Sequence, residues 1–240
     1  MKKSILLLAC AVFLLSFNTN AQNKIKGNGK VVTETRTTGD YDGIKISGFF
    51  DVNLVAGKEG KISIKGEENL LSSIKVEVED NTLKIYIESF KNIRPSSGKS
   101  IEITVPFDKI SNIALSGSGN IQSKDVIKSD KLLAKLSGSG NFNLAIDSNE
   151  FELNLSGSGN VNLKGIADNF TTKLSGSGDI DAGSLKSKNV DVNVSGSGNS
   201  KVTCNDKLTA RVSGSGNIKY AGNPEKRDVK VSGSGNITKA

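Results

Sequence analysis

The chain has 240 residues, of which 35% are apolar and 24% charged, with a formal net charge of +7, a composition within the globular range. It contains no His and no Trp, two Cys, and only 5% aromatic residues. These absences remove Ser-His triads, the usual general base and most metal sites. They also leave little with which to stack nucleic-acid bases or sugar rings. No metal, no cofactor and no nucleic-acid partner is expected.

The first elements concern export. Lys2 and Lys3 precede an apolar run from Ile5 to Phe17, and Thr19-Asn20-Ala21 follows. A basic start, a short apolar stretch and a small residue predict a secretory signal peptide over residues 1–21. The run is too short to span a bilayer as a helix, and no transmembrane segment is expected elsewhere. Leu7-Leu8-Ala9-Cys10 also has the form of a lipidation site, which would leave an unusually short leader. Cleavage after Ala21 removes two lysines and no acids, leaves a mildly basic chain, and retains Cys204 as its one thiol. No intramolecular disulfide is then possible.

Residues 22–43 read as a polar, loosely ordered lead-in. From Ile44 the sequence is strand upon strand. Ile44 and Ile46 alternate with polar residues, as do Phe50, Val52 and Leu54, then Ile62 and Ile64. Ile74, Val76 and Val78 lead through Glu79-Asp80-Asn81 to Leu83, Ile85 and Ile87, which predicts a hairpin. Residues 67–71 could form one helical turn. Segment 44–113 is read as the irregular cap and first coils of a solenoid, with a separate small β-sandwich as the alternative.

Residues 114–240 are organised by Ser-Gly-Ser-Gly-Asn, which begins at Ser116, Ser137, Ser156, Ser175, Ser195, Ser213 and Ser232. One copy carries Asp179 in place of Asn, and the spacings are 21, 19, 19, 20, 18 and 19 residues. A near-constant period of this length marks a solenoid with one coil per repeat. The residue before each pentamer is aliphatic in all seven copies, from Leu115 to Val231. Apolar residues recur two positions further back and directly after the pentamer, so strands flank it on both sides. By alternation, both glycines face inward at a coil corner, and both serines and the Asn face outward. Asn120, Asn141, Asn160, Asp179, Asn199, Asn217 and Asn236 then form an external ladder at the strand spacing of about 4.8 Å. The following strands argue against a phosphate loop, which needs a helix N-terminus. The single carboxylate among seven copies argues against calcium-binding nonapeptide turns.

These repeats, preceded by Ile44-Lys-Ile-Ser-Gly-Phe-Phe-Asp-Val on a chain with an export signal, resemble the head GIN domain family of auto-transporter adhesins of Gram-negative bacteria. The resemblance covers most of residues 40–236. It implies an all-β, right-handed parallel β-helix, an exported protein of the periplasm, outer membrane surface or medium, and an adhesive role. It transfers no catalytic or binding residue.

The residues themselves offer one candidate surface. Lys135, Lys173, Arg211 and Lys230 share an outward column interrupted by Asn154 and Asn193. Alternate coils place Lys135, Lys173 and Arg211 about 10 Å apart, a spacing suited to an anionic polymer, a glycan or a surface protein. The plainer reading is a solvated face that maintains solubility. The expected function is a non-enzymatic, adhesin-like binding or structural module of the cell envelope. Two alternatives stay open. One is a glycan-active β-helix enzyme using Asp179 and Asp181 as its carboxylate pair. The other is a structural solenoid that self-associates through its open ends.

Overall fold

The computed structural model describes residues 24–240; the leader over residues 1–21 and Cys10 lie outside the described residues. Strand dominates, as the alternation predicts, and among the described residues the one helix is the turn α1 (Glu68–Leu71). Seventeen strands form a single continuous sheet wound into stacked coils. The chain is the expected parallel β-solenoid.

The coils do not stack in chain order. β7 (Thr82–Ile87) and β9 (Glu102–Phe107) form the outermost coil at one end. β3 (Gly43–Gly48) and β4 (Asp51–Ala56) lie upon it, paired in parallel with β7 and β9. β10 (Asn112–Gly117) and β11 (Asn120–Ser123) lie upon β3 and β4 in turn. From there the order is sequential through β12 (Ile127–Gly138), β13 (Asn141–Gly157), β14 (Asn160–Gly176), β15 (Asp179–Gly196) and β16 (Asn199–Gly214). The last coil comprises β17 (Asn217–Ala221), β18 (Lys226–Gly233) and β19 (Asn236–Lys239).

Residues 44–113 therefore supply parallel coils to the same stack. The end beyond β7 and β9 is closed by antiparallel strands. β6 (Ile74–Glu79) pairs with β7 as the predicted hairpin, with Asp80 and Asn81 at φ 49° and 57°. Two successive positive φ values are what a two-residue hairpin turn demands. β5 (Lys61–Glu67) pairs antiparallel with β9, and β2 (Val31–Thr37) with β5. The lead-in is thus ordered, contrary to the expectation from its polarity. β2 alternates exposed and half-buried residues at a sheet edge, so few apolar side chains suffice. α1 places Leu70 and Leu71, both fully buried, over the end of the core. β1 (Lys24–Lys26) and β8 (Asn92–Arg94) form a separate two-stranded parallel sheet beside this cap.

The core follows the repeat. Leu115, Leu136, Leu155, Leu174, Val194 and Val212 are all buried and adjacent in register. Phe151 and Phe170 stack with ring centroids 5.3 Å apart. Burial removes roughly 1.5–3 kcal/mol of unfavourable hydration per such side chain. Cys204 is buried, and burial pushes its thiol above the ordinary range. An inert thiol follows.

Candidate functional site

The pentamer corner separates two exposed faces, and its backbone sets their geometry. The first glycine of each pentamer has φ between 115° and 130°, a region that L side chains disfavour. It is half-buried in six copies and exposed at Gly233, so the expected inward parity fails at this position and holds only for the second glycine. The left-handed turn interrupts the two-residue alternation. Its carbonyl accepts two N–H groups from the next coil, as Gly138 does from Ser158 and Gly159 at 3.0 and 3.1 Å. The second glycine packs inward. A Cβ at Gly159, Gly178 or Gly198 would lie closer than 3.0 Å to the carbonyl oxygen of the glycine one coil back. Hydrogen bonding between coils thus continues through the corner without a gap.

The side chains of the Asn column are hydrogen-bonded from coil to coil. Asn141 Nδ2 donates to Asn120 Oδ1 at 2.7 Å, Asn160 to Asn141 at 3.2 Å, Asn199 to Asp179 at 2.9 Å and Asn217 to Asn199 at 2.9 Å. Asn236 reaches Asn217 at 3.5 Å. Asp179 interrupts the chain of amides, because a carboxylate has no N–H to donate to Asn160. The serine columns form no comparable ladder among the described residues. A hydroxyl on Cβ is too short to span about 4.8 Å to its counterpart, so both columns remain exposed toward solvent.

Asp179 and Asp181 lie on the face that follows the corner, and both are engaged in the scaffold. Asp179 Oδ1 accepts the backbone N–H and side-chain amide of Asn199. Asp181 Oδ1 accepts the Gly183 N–H at 2.9 Å, and its Oδ2 lies 3.8 Å from Lys201 Nζ. Among the described residues, no three His, Cys, Asp or Glu side chains gather as metal ligands would.

On the face before the corner, Lys135, Asn154, Lys173, Asn193, Arg211 and Lys230 are register partners in one column. The column extends through Ala114 to Lys45 and Lys84. Those two lysines escape the sequence reading because their coils lack the pentamer. The usable signal was Ile44-x-Ile46-Ser47-Gly48, which repeats the aliphatic-x-aliphatic-Ser-Gly pattern. Ser47, Gly48 and Asp51 pair with Ser116, Gly117 and Asn120, and Asn120 Nδ2 donates to Asp51 Oδ1 at 2.7 Å. Ser47-Gly48-Phe49-Phe50-Asp51 is therefore an eighth corner, with a buried Phe50 ring in place of one glycine's close packing.

Beside the cations runs a second column, Glu152, Thr171, Asp191, Thr209 and Asp228. From Glu152 to Arg211 the signs alternate from coil to coil. Asn154 bonds Glu152 and Asn193 bonds Asp191, whereas Lys173 stands beside Thr171 and Arg211 beside Thr209. Arg211 also reaches the Asp228 carboxylate in the next coil. That hydrogen bond holds the Asp228 carboxyl below its ordinary range and raises the Arg211 guanidinium. The face is a regular lattice of both signs, in which the cations outnumber the acids.

The family model described as "Putative auto-transporter adhesin, head GIN domain" matches residues 40–224. No curated protein matches the chain. A crystal structure of a protein described as a putative adhesin from Bacteroides fragilis superposes with a TM-score of 0.83 at 24% identity, covering 90% of this chain and all of that one. A protein described as a putative lipid binding protein from Parabacteroides distasonis superposes at 0.75 with 27% identity, covering 91% and 100%. A protein described as a putative adhesin from Parabacteroides merdae superposes at 0.66 with 23% identity, covering 91% and 99%.

Proposed function

The chain belongs to the head GIN domain family, and from that premise we propose that it is a non-enzymatic, exported binding module whose recognition surface is the cation-bearing face. The observation that carries this reading is the in-register column Lys45, Lys135, Lys173, Arg211 and Lys230, presented beside exposed serines on a rigid sheet. Parallel stacking sets the distance between charges, so a partner with anionic groups repeated at a similar interval meets several cations at once. Multivalent contact of this kind raises avidity well beyond any single pair. The interleaved acids Glu152 and Asp191 lower the affinity for an indiscriminate polyanion and favour a partner whose anions are spaced.

Export rests on the sequence of residues 1–21, and an envelope or surface location on the family. An acid/base role for Asp179 and Asp181 is disfavoured, since Asn199, Gly183 and Lys201 occupy them.

The test is an array of glycans and matrix proteins probed with the wild-type chain and with a Lys135/Lys173/Arg211/Lys230→Ser variant of unchanged thermal stability. Binding by the wild type that vanishes in the variant and weakens with salt supports the reading. Binding retained by the variant removes this face as the recognition surface.

A further inference from the structure

The turn between β7 and β8 carries Phe90, the most exposed large apolar side chain among the described residues at 93%. Its φ of 65° lies in the left-handed region, where a bulky side chain is a genuine outlier. The Lys91 N–H donates to the Glu88 carbonyl at 3.1 Å, which closes a tight turn over Ser89 and Phe90. Positive φ at that place in a turn ordinarily selects Gly or Asn. The ring thus costs the fold backbone strain and returns no buried area. Strain held at an exposed position points to a contact outside the fold.

Cations flank the turn in the chain and in the small sheet that follows it. Lys91 follows Phe90 directly, and Lys75 and Lys91 share the Glu88 carboxylate at 3.5 and 2.7 Å. In the small parallel sheet, Lys24 stands opposite Asn92 and Lys26 opposite Arg94, and all three charged side chains are exposed. Their neighbours Ile25 and Ile93 pack against the core. Of the other acids here, Glu67 is buried and held by Gly29 and Ser96, and Glu68 is paired with Lys30 at 2.9 Å. The outward charge around Phe90 is therefore positive.

We propose that this apex is a docking site for an anionic phospholipid surface. An aromatic ring at a loop tip is suited to the boundary between headgroups and acyl chains, and flanking lysines and arginines are suited to lipid phosphates. Phe90 enters that boundary, and Lys24, Lys26, Lys91 and Arg94 meet the headgroups. Because the apex lies on the cap at one end of the stack, the contact leaves the cation-bearing face of the later coils free. The site is independent of that face.

The absence of Trp from the chain makes a clean test. In a full-length Phe90→Trp variant the single indole reports its own surroundings. Its emission should shift to the blue with vesicles containing phosphatidylglycerol, and not with phosphatidylcholine alone or with inorganic phosphate. An Ile166→Trp variant, whose position is 52% exposed on β14, should show no shift. Co-sedimentation of the wild type with anionic vesicles should weaken roughly tenfold in Phe90→Gly, while thermal stability stays equal or rises. The Lys135/Lys173/Arg211/Lys230→Ser variant should sediment like the wild type. An indole unshifted by anionic vesicles, vesicle binding indifferent to Phe90→Gly, or destabilisation by Phe90→Gly would each overturn the proposal. Binding of Phe90-dependent character to a protein or glycan on the array, with none to vesicles, would assign the apex to that other partner instead.

Discussion

Between residues 112 and 239, each coil meets the next with the same side chains at the same height. Between residues 24 and 110, outside the parallel coils of β3, β4, β7 and β9, hardly any contact is used twice. The repeat stack is held by columns: aliphatic residues inside, Asn amides outside, and glycine carbonyls that each accept two N–H groups at the corner. The cap is held by single fastenings. Glu67 accepts from Gly29 N, Ser96 N and Ser96 Oγ at 2.6–2.7 Å, and so ties the lead-in to the loop after β8. Arg36 donates to the carbonyls of Leu71, the last residue of α1, and of Ile74 beyond it. The buried Tyr41 hydroxyl donates to the Pro106 carbonyl, with its ionisation pushed up by burial and by Glu59. A column spreads its energy over many equivalent steps, whereas a fastening concentrates it in one side chain.

That contrast should break most sharply at glycine. Gly178→Ala drives a Cβ into the Gly159 carbonyl, and neither backbone can retreat without opening the stack. We expect a loss of about 3 kcal/mol or more in urea unfolding. Gly39→Ala in the cap, where no atom lies within 4 Å of the added carbon, should change stability by less than about 0.5 kcal/mol. Equal losses would end the distinction.

Glu67→Gln comes next and acts on the cap alone. Losing the charged acceptor should lower the melting temperature by several degrees and speed hydrogen exchange at Gly29 and Ser96, with the pentamer corners unchanged. The same fastening makes the wild-type cap acid-sensitive. Hydrogen bonds from Ser96 hold the folded carboxyl below its ordinary range. Its stabilisation is therefore complete above the unfolded carboxyl value of about 4.3 and fades as pH falls through the lower folded value. Exchange measured across that window should show the cap loosening before the stack.

Two substitutions should strengthen the stack. Thr172 is fully buried in the column of Leu153 and Val192, and its hydroxyl has no partner. Thr172→Val should raise stability by about 1 kcal/mol. Asp179→Asn should restore the missing amide step to Asn160 and add about 0.5 kcal/mol, the small value reflecting its exposure. A loss in either variant would mean that the column tolerates its exceptions for a reason outside packing.

Periodicity made the stack legible. Aligning seven pentamers was enough to find the inward aliphatic columns, the Asn ladder and the shared position of Lys135, Lys173, Arg211 and Lys230. It was not enough to find Lys45 and Lys84, because Ser47-Gly48-Phe49-Phe50-Asp51 keeps only the first two residues and the acid-for-amide last position. The acid column from Glu152 to Asp228 gives a weak signal, since Thr171 and Thr209 interrupt it, and it changes the chemistry of the face from basic to mixed. Glu67 and Phe90 carried no periodic signal at all.

What the sequence determined by itself was the unit: a coil of about nineteen residues with one buried layer and one corner. Repetition makes that inference local, since each position is tested against its own copies. The tertiary structure alone decided the order of coils, with β3 and β4 placed between later strands. It also decided that a polar lead-in would become a paired edge and that one end would be closed by antiparallel strands. Those outcomes depend on contacts between residues that occur once and lie far apart in the chain. Their energies become comparable only when the coils are already stacked.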